Sequence, residues 1–414
     1  MNILELREAR ESFIAQSIKS KNKCLVCIKP NFPGAEKRNI YTNYASTMIF
    51  NEIKNNQYIH EYSHEYDVEG LIFYILLDGD SIEIKKRMIE IEASHPLGRL
   101  VDIDVYGPDA KQVSREYFSI ERRKCFICDS EAVICVRSRA HTVDEIVKHF
   151  KNVVKDFLLG SNDISCIAEF CMINELMRNI SLGTVTPNTK GSHNDMDMYT
   201  FLNSAHAISK KLSTLNSGHM QSFDTLRAFG LELEKTMFEA TSGVNTHKGV
   251  IFSFLLIFGG LSNSDSYGEL SEEITKLAVH ALSDFKASID SNGLRVYNTH
   301  SIKGARGEAV GGYKNAFDSY IDIFKNSEDL DKLFLEIAHR TEDTNIIHRA
   351  GIDVYHEFKV KVEECLENPD FVPELEVFCL NNNISAGGSA DMISITMLLY
   401  LISENFESIK NLMT

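Results

Sequence analysis

The sequence predicts two domains, an α+β domain followed by an all-α domain. The chain has 414 residues, more than one ordinary hydrophobic core accommodates. Short apolar runs typical of strands occur in the first part, whereas apolar residues at helical spacing dominate the second. Between the two parts, residues 159–165 read L-G-S-N-D-I-S and form the best linker candidate. We therefore expect domains at 1–160 and 164–414.

Composition and charge limit the classes of partner. The chain is 43% hydrophobic and 25% charged, as expected of a soluble globular protein. With 59 acidic and 43 basic residues, its net charge is −16, which argues against nucleic-acid binding through bulk electrostatics. The start of the chain is too charged for a signal peptide. Nine cysteines without framework spacing suit a reducing compartment. We expect a cytoplasmic protein that contacts neither nucleic acid nor membrane.

A small sheet flanked by helices is expected in the first part. The apolar runs at 24–28 and 70–77 predict two strands. Alternating isoleucines predict a third strand over 82–93. Helices are predicted over 5–17, 44–55 and 142–158, the last of them amphipathic.

A pair of carboxylates lies on a further predicted strand. Asp102 and Asp104 are two residues apart in H-P-L-G-R-L-V-D-I-D-V-Y, so both project from one face. This geometry suits Mg²⁺, which takes one or two carboxylates together with substrate phosphates. Arg99, or Lys37 from an earlier turn, would hold a pyrophosphate leaving group. The spacing is similar to the metal-binding strand of nucleotidyltransferases, and the alternative is a solvent-facing edge strand carrying two acids.

Three cysteines and a histidine follow this strand at the spacing C-x2-C-x6-C-x5-H. Cys125, Cys128, Cys135 and His141 form a candidate zinc site, since thiolates and imidazole are the usual ligands of structural zinc. The alternative is a set of packed free thiols, with the neighbouring arginines contacting phosphates.

The second part contains a polar loop joined to a buried element. Residues 241–249, T-S-G-V-N-T-H-K-G, place Asn245, His247 and Lys248 between two glycines, directly before the apolar run 250–258. The first N–H groups of a helix lack partners and can bind phosphate. The alternative is a capped turn before a core helix. Helices are predicted near 166–180, 196–213, 223–240, 249–261, 269–288, 310–326, 329–340, 347–366 and 388–404.

Further polar loops lie at the ends of these predicted helices. They read G-S-H-N-D-M-D, G-A-R-G-E-A, D-T-N-I-I-H-R and N-I-S-A-G-G-S-A-D. Each alone is typical of a turn or a helix cap. Together they offer carboxylates, cations and glycine-rich backbone, a combination that suits a Mg²⁺-nucleotide and a second phosphorylated substrate.

Residues 166–404 resemble the triphosphoribosyl-dephospho-CoA synthases of citrate lyase. The resemblance rests on those four loops and on M-F-E-A-T-S-G-V-N-T-H-K-G, in the same order along the chain. Residues 1–158 resemble the apo-citrate lyase phosphoribosyl-dephospho-CoA transferases, through H-P-L-G-R-L-V-D-I-D-V, R-R-K-C-F-I-C, V-I-C-V-R-S-R-A-H and a looser R-E-A-R start. The chain thus looks like a fusion of two enzymes, with a nucleotidyltransferase-like first domain.

The resemblance implies a two-step pathway. The second part would join the ribose C1′ of ATP to the 2′-hydroxyl of 3′-dephospho-CoA and expel adenine. The first part would then transfer the phosphoribosyl-dephospho-CoA group to a serine of the citrate lyase acyl carrier (gamma) subunit and release pyrophosphate. Glycosyl transfer needs a carboxylate to accept the hydroxyl proton, and Glu234, Glu308 and Asp343 are the candidates. Phosphoryl transfer needs metal ions, for which Asp102 and Asp104 are the candidate ligands.

Substrate-binding residues are expected in the same segments. Lys248, Arg306 and Arg349 would hold the triphosphate. The full set of expected substrate-binding residues is His193, Asp195, Asn245, His247, Lys248, Arg306, Asn345, Arg349, Gly387, Gly388, Ser389 and, in the first part, Arg99.

One segment departs from the synthase pattern. These synthases carry an S-P-K-P-G-L-V-D-like segment before G-S-H-x-D-M, whereas residues 179–190 here read N-I-S-L-G-T-V-T-P-N-T-K. Lys190 is the candidate replacement for the lysine, and nothing obvious replaces the aspartate. The departure supports an alternative in which only the transferase part is active and the second part is a degenerate scaffold that binds a CoA-like ligand. In a further alternative, the first part is a zinc-dependent interaction module.

Overall fold

The chain divides into two compact units, Met1–Gly160 and Ser161–Thr414. The structure is a computed structural model and describes residues 3–56, 59–220, 222–281 and 292–413. Among these residues, no helix is both long enough and apolar enough to cross a membrane.

A four-stranded antiparallel sheet forms the centre of the first unit. Its strands follow the order β2-β3-β1-β4. They are β1 (Cys24–Pro30), β2 (Ile59–Asp67), β3 (Gly70–Leu77) and β4 (Val101–Tyr106). The helices of this unit are α1 (Ile3–Lys21), α2 (Ile40–Asn56), α3 (Ser81–Ser94), α4 (Ala132–Ser138) and α5 (Val143–Leu159).

Helices cover both faces of this sheet. On one face, Ile14 and Ile18 of α1 pack in a buried cluster with alternate residues of β1 and β3, including Leu25. On the other face, Phe50 of α2 stacks on Phe73 of β3, with ring centroids 4.2 Å apart. Because both faces are covered, β3 is buried throughout and β1 is buried at every position except Lys29, so neither strand shows alternation.

A helix occupies the segment predicted as a strand over 82–93. Asp80 caps the first turn of α3 by accepting hydrogen bonds from two backbone N–H groups. The strand prediction was wrong because Ile84 and Ile89 are an odd number of residues apart, which in a strand would place them on opposite faces. The spacing that matters is helical, and the buried residues of α3 are Ile84, Lys85, Met88, Ile89 and Glu92.

The second unit is mostly helical. Nearly every predicted helix matches an observed one, except that 310–326 and 347–366 are each interrupted by a turn or a change of helix type. The helices Asn292–His300, Gly304–Val310 and Val372–Asn381 were not predicted, and the second of them contains the G-A-R-G-E-A segment that was expected to be a loop. The prediction over 269–288 extends into residues 282–288, which lie outside the described residues. The helices are α6 (Ser165–Glu175), α7 (Met198–Leu212), α8 (Phe223–Ala240), α9 (Lys248–Asn263), α10 (Leu270–Ala278), α11 (Asn292–His300), α12 (Gly304–Val310), α13 (Ile321–Ser327), α14 (Leu330–Arg340), α15 (Thr344–Ala350), α16 (Ile352–Glu367), α17 (Val372–Asn381) and α18 (Gly387–Asn411).

Two long helices form the core of the second unit. Helix α9 is buried almost continuously from Val250 to Leu261, and α18 from Ser389 to Ile402. Each begins with a polar, glycine-containing segment, Lys248–Gly249 in α9 and Gly387–Gly388 in α18. The core therefore holds the two polar N-terminal ends in fixed positions.

Candidate active sites

The N-terminal ends of α9 and α18 border a cavity of about 460 Å³ in the second unit. Neither helix has a side-chain hydrogen bond from its N-cap residue. The cavity wall combines cations with carboxylates, an arrangement that can bind phosphates together with a metal ion or a proton donor. Its charged or titratable lining residues are Glu175, His193, Lys248, Glu308, Tyr313, Glu342, His348, Arg349 and Asp391.

A second cavity of about 270 Å³ adjoins the first. The two share Lys248, Gly249 and Ala305 in their walls. The smaller cavity is lined mainly by apolar side chains of α8 and α9, together with Arg227, Glu234 and Arg306. Lys248 Nζ lies 2.8 Å from Glu234 Oε2, so the lysine at the start of α9 is paired across this boundary.

Arg349 joins two loops at the wall of the larger cavity. Its Nε donates to Asn383 O at 2.8 Å, and its Nη2 donates to Ser192 O at 2.7 Å. His193, next to that serine, has its Nε2 2.9 Å from Ser385 Oγ. Burial, and then the charge of Arg349, lower the pKa of His193, so the ring is neutral at pH 7.

Asp343 connects the first turns of α15 and α18. Its carboxylate accepts from the N–H groups of Asn345 and Ile346, and from both the N–H and the hydroxyl of Ser389. Burial raises the pKa of Asp343 despite these hydrogen bonds. Gly388 packs closely here: a Cβ at this position would lie 3.2 Å from the carboxylate, which would have to shift slightly.

His247 lies behind the cavity wall. Its side chain is buried, its Nδ1 is 2.8 Å from Ser204 Oγ, and its Nε2 has no hydrogen-bond partner among the described residues. Burial lowers the pKa of His247 to about 3, which keeps the imidazole neutral. The Thr246 hydroxyl donates to the same Ser204 oxygen at 2.7 Å, so both residues fix the loop to α7.

Two further carboxylates line the cavity: Asp391, one of the acids that the polar loops offer, and Glu175, which was not singled out from the sequence. Glu175 ends α6 and is buried, and burial raises its pKa to about 7 against the opposing charge of Arg178. Burial, followed by the nearby charges of Glu175 and Asp343, raises the pKa of Asp391 well above its ordinary value. The sequence did offer a signal for Glu175: it is an acidic residue at the end of a helix whose residues are mostly apolar or small.

The predicted site residues of the second unit fall into four groups. Those that line the larger cavity are His193, Asn245, Lys248, Glu308, Asn345, Arg349, Gly387 and Gly388. Glu234 and Arg306 line the smaller one, and Lys248 lines both. His247, Asp343 and Ser389 are buried next to the loops and helix ends that form the wall. Asp195 is largely exposed, 3.9 Å from His193.

The unusual segment 179–190 is held by ordered contacts. Asp331 accepts hydrogen bonds from Asn179 and Ile180, and Arg178 bonds across the turn to Thr184 Oγ1 at 3.0 Å. Thr184 and Val185 line the larger cavity. Lys190 is not in that lining, and its Nζ is 4.0 Å from Asp197.

Asp102 and Asp104 lie on one face of β4, as the sequence predicts, at the edge of the sheet in the first unit. Asp104 Oδ2 is 2.7 Å from Lys29 Nζ, and Gln112 donates to Asp104 Oδ1 at 2.7 Å. Arg123 pairs with Asp102. Each carboxylate is thus paired with a cation. Both are also partly exposed, so they remain accessible to a ligand.

Glu92 of α3 supports the arginines near this pair. It accepts hydrogen bonds from Arg115 and from Arg123, each at 2.8 Å. Lys85 of the same helix donates to Ile103 O at 2.7 Å and thereby fixes α3 to β4. These contacts explain why two charged residues of α3 are buried.

The R-E-A-R segment of α1 contributes a buried arginine. Arg10 Nη1 lies 2.6 Å from Glu69 Oε2, and Arg10 Nε donates to Glu65 and to Tyr74 OH, each at 3.1 Å. Arg7 pairs with the other oxygen of Glu69 at 2.7 Å. This network fixes α1 on the face of the sheet that carries Asp104.

The two candidate leaving-group cations occupy different places. Arg99 Nη2 donates to Lys124 O at 2.6 Å, and its guanidinium lies 5.4 Å from the ring centroid of Phe126. Lys37 is 3.7 Å from Glu69, beside the Arg10 network.

The candidate zinc ligands of the first unit lie together. Cys125, Cys128, Cys135 and His141 bring their donor atoms within 4.8 Å of one another.

Comparisons with known families agree with this division. The family described as ATP:dephospho-CoA triphosphoribosyl transferase matches residues 161–410, more than half of the chain. The chain belongs to this family. The family described as apo-citrate lyase phosphoribosyl-dephospho-CoA transferase matches residues 1–157, so the triphosphoribosyl transferase part follows a second transferase part. The chain is therefore an enzyme made of two transferases.

Individual relatives have the same organisation or match the second part. A protein of Haemophilus influenzae named CitXG is 28% identical over 95% of this chain and 94% of its own length. A 2-(5''-triphosphoribosyl)-3'-dephosphocoenzyme-A synthase of Haemophilus ducreyi is 27% identical over 66% of this chain and 98% of its own length. A probable synthase of the same name from Malonomonas rubra is 32% identical over 58% of this chain and 88% of its own length.

Proposed function

We propose that the chain makes and attaches the prosthetic group of citrate lyase. The second unit converts ATP and 3′-dephospho-CoA to 2′-(5″-triphosphoribosyl)-3′-dephospho-CoA and adenine. The first unit transfers the phosphoribosyl-dephospho-CoA group to a serine of the acyl carrier subunit and releases pyrophosphate. The two family matches supply the reactions, and the cavity in which Lys248, Arg349 and several carboxylates meet is the observation that carries the proposal.

The triphosphate of ATP binds where α9 and α18 begin. Lys248 and Arg349 line that wall, and the first-turn N–H groups of two long helices add partial positive charge there. Mg²⁺ bound with the triphosphate would be held by carboxylates of the same wall and would neutralise phosphate charge. Gly249 allows one of these carboxylates to approach, because its missing Cβ leaves room for Asp391 against the start of α9.

Two carboxyl groups share the proton transfers. Glu308 lines the cavity and accepts the proton of the 2′-hydroxyl as the new C1′–oxygen bond forms. Burial raises the pKa of Asp391, which favours its protonated form, and in this proposal Asp391 donates a proton to adenine as the C1′–nitrogen bond breaks. Asp343 positions the ends of α15 and α18, because its oxygens already accept four hydrogen bonds.

The smaller cavity accepts part of dephospho-CoA. Its apolar lining suits the pantetheine arm, and Arg306 at its wall suits a phosphate. Because both cavities share Lys248 and Gly249, a ribose hydroxyl from one side can reach a ribose C1′ on the other.

The first unit acts as a nucleotidyltransferase-like enzyme. Asp102 and Asp104 fit a Mg²⁺ site, because both are partly exposed on one strand face and their present partners are cations that a pyrophosphate group can take over. When bound, Mg²⁺ would neutralise charge on the leaving group. Lys29 and Arg123 then hold phosphate oxygens, and Arg99 adds a third cation on the side of Phe126.

Separate assays of the two half-reactions test this proposal. Lys248→Ala is expected to reduce adenine release at least about 100-fold, because a positioning charge on the triphosphate is lost. Lys276→Ala, which removes an exposed lysine of α10, is the matched control. Adenine is measured by chromatography after incubation with ATP and 3′-dephospho-CoA. If the wild-type chain releases no adenine, the scaffold alternative for the second unit replaces the synthase.

The attachment step is tested with preformed intermediate and apo-carrier. Asp104→Asn is expected to prevent the mass increase of the carrier while adenine release continues, and Asp144→Asn, on the exposed surface of α5, is expected to leave both unchanged. A full mass shift at the wild-type rate with Asp104→Asn would remove this carboxylate from the mechanism.

A further inference from the structure

We propose that the first unit binds one structural zinc ion through Cys125, Cys128, Cys135 and His141. All four donor atoms lie within 4.8 Å of one another. Cys128 Sγ is 3.4 Å from Cys135 Sγ and 3.4 Å from His141 Nε2, and all three cysteines are free thiols. Neither the matched families' descriptions nor the names of the relatives mention a metal at this place.

The backbone around Cys125 forms a tight turn that aims two thiols at one point. Cys125 N donates to Ser130 O at 2.7 Å, and Ile127 N donates to Cys125 Sγ at 3.4 Å. An N–H group directed at a sulfur stabilises negative charge on that sulfur, as a metal-bound thiolate requires. Cys128 follows within the same turn.

The other two ligands come from α4 and the residues after it. Cys135 is the buried residue of this seven-residue helix. The helix ends at Ser138 and is capped by Arg139, whose φ of 50° reverses the chain direction. Ala140 N donates to Cys135 O at 3.0 Å, and this turn returns His141 to the thiols.

Little else is buried in this part of the chain. Between residues 108 and 149, Cys135 is the single buried residue. Ile134 and Val136 of α4 are exposed, and a helix of seven residues is too short to be stable on its own. A segment without an apolar core needs a cross-link, and a closed set of three thiolates and one imidazole provides one.

The donor set selects the metal and its role. Thiolate and imidazole ligands favour zinc over Mg²⁺ or Ca²⁺, which prefer oxygen. Four protein ligands leave no open coordination position, so the ion holds structure and does not activate water. The proposal therefore differs in ligand chemistry and in place from the Mg²⁺ site at Asp102 and Asp104.

The zinc site is linked to the transferase site through the backbone, a consequence that rests on the proposed function. Arg123, two residues before Cys125, pairs with Asp102 and donates to Glu92. Ala132 N donates to Arg123 O at 2.8 Å, and Lys124 O accepts from Arg99. Fixing this segment keeps two phosphate-binding arginines beside the carboxylates.

Metal analysis of the full chain tests the site itself. We expect one zinc ion per chain when the protein is purified under reducing conditions with zinc supplied. Inductively coupled plasma mass spectrometry measures the zinc content. Cys128→Ser and Cys135→Ser are expected to lose it, whereas Cys166→Ser, which changes a half-buried thiol of the second unit, is expected to retain it. Cobalt in place of zinc should give the visible absorption of a tetrahedral thiolate site.

Three results would overturn or narrow the proposal. A wild-type protein without zinc under these conditions overturns it, as does a Cys128–Cys135 disulfide with no bound metal. Retention of zinc by both serine variants also overturns it. The link to catalysis has its own test: Cys135→Ser should lose carrier attachment but keep adenine release. Zinc binding in the wild type with full attachment by Cys135→Ser would keep the metal site and refute the link.

Discussion

Replacing Glu175 with glutamine should make the stability of the second unit less sensitive to rising pH. Glu175 is buried at the end of α6, and Ser394 donates to its Oε2 at 2.9 Å. Burial raises its pKa from 4.5 to about 7, although Arg178 and Ser394 act in the opposite direction. Asp391 lies near enough for the two negative charges to repel each other.

The raised pKa of Glu175 determines how the stability of the folded protein changes with pH. A carboxyl with a raised folded-state pKa binds its proton more tightly in the folded protein, so its contribution to stability is present at low pH. That contribution is lost as the pH rises from 4.5 to about 7. At about 1.4 kcal/mol for each pKa unit, the loss amounts to roughly 3 kcal/mol. Glu175→Gln removes the ionisable group without removing the hydrogen-bonding oxygen.

Denaturant unfolding of both proteins at several pH values between 4.5 and 8 measures this difference. The free energy of unfolding of the second unit should fall with pH in the wild type by about 3 kcal/mol more than in Glu175→Gln. Glu272→Gln, an exposed substitution on α10, should follow the wild type. Parallel profiles for Glu175→Gln and the wild type would refute the raised pKa.

Three other predictions concern packing and metal ions. Gly249→Ala places a Cβ against Asp391 and should lower adenine release about 100-fold, whereas Gly268→Ala, where the nearest atom is 3.9 Å away, should be neutral in the same assay. Arg10→Ala should destabilise the first unit by about 3–5 kcal/mol because it removes the buried guanidinium that pairs with Glu69, while Arg7→Ala, at a more exposed pair, should cost at most about 1 kcal/mol in denaturant unfolding. EDTA should stop carrier attachment and added Mg²⁺ should restore it; full attachment in EDTA would contradict the metal requirement.

The sequence predicted the type of most elements because their apolar residues keep a clear period. The strand β4 and the amphipathic α5 are examples, and the buried run after Lys248 is indeed a helix. Strand β2 was not predicted, because its sequence I-H-E-Y-S-H-E-Y-D is mostly polar. Its acids are there to meet Arg10, a long-range contact that no local pattern reveals.

The candidate site could be predicted only as a set of loops. Shared motifs identified most of the residues that line the larger cavity, but they could not say which residues face it. Asp343 and Ser389 were expected to contact substrate, whereas their side chains hydrogen-bond to each other. Glu175 was missed because its role depends on Asp391, which is far away in sequence.

The two ion pairs on β4 have a thermodynamic consequence. Asp102 and Asp104 are each neutralised by a cation, so neither is fully available to a metal ion while Arg123 and Lys29 hold them. A phosphate group that takes over those cations frees the carboxylates, and a metal ion that takes the carboxylates frees the cations. In the proposed site, each ligand would therefore raise the affinity for the other, and by linkage both affinities would rise by the same factor. In the proposed site, this edge of the sheet would therefore bind Mg²⁺ and pyrophosphate most tightly when both are present.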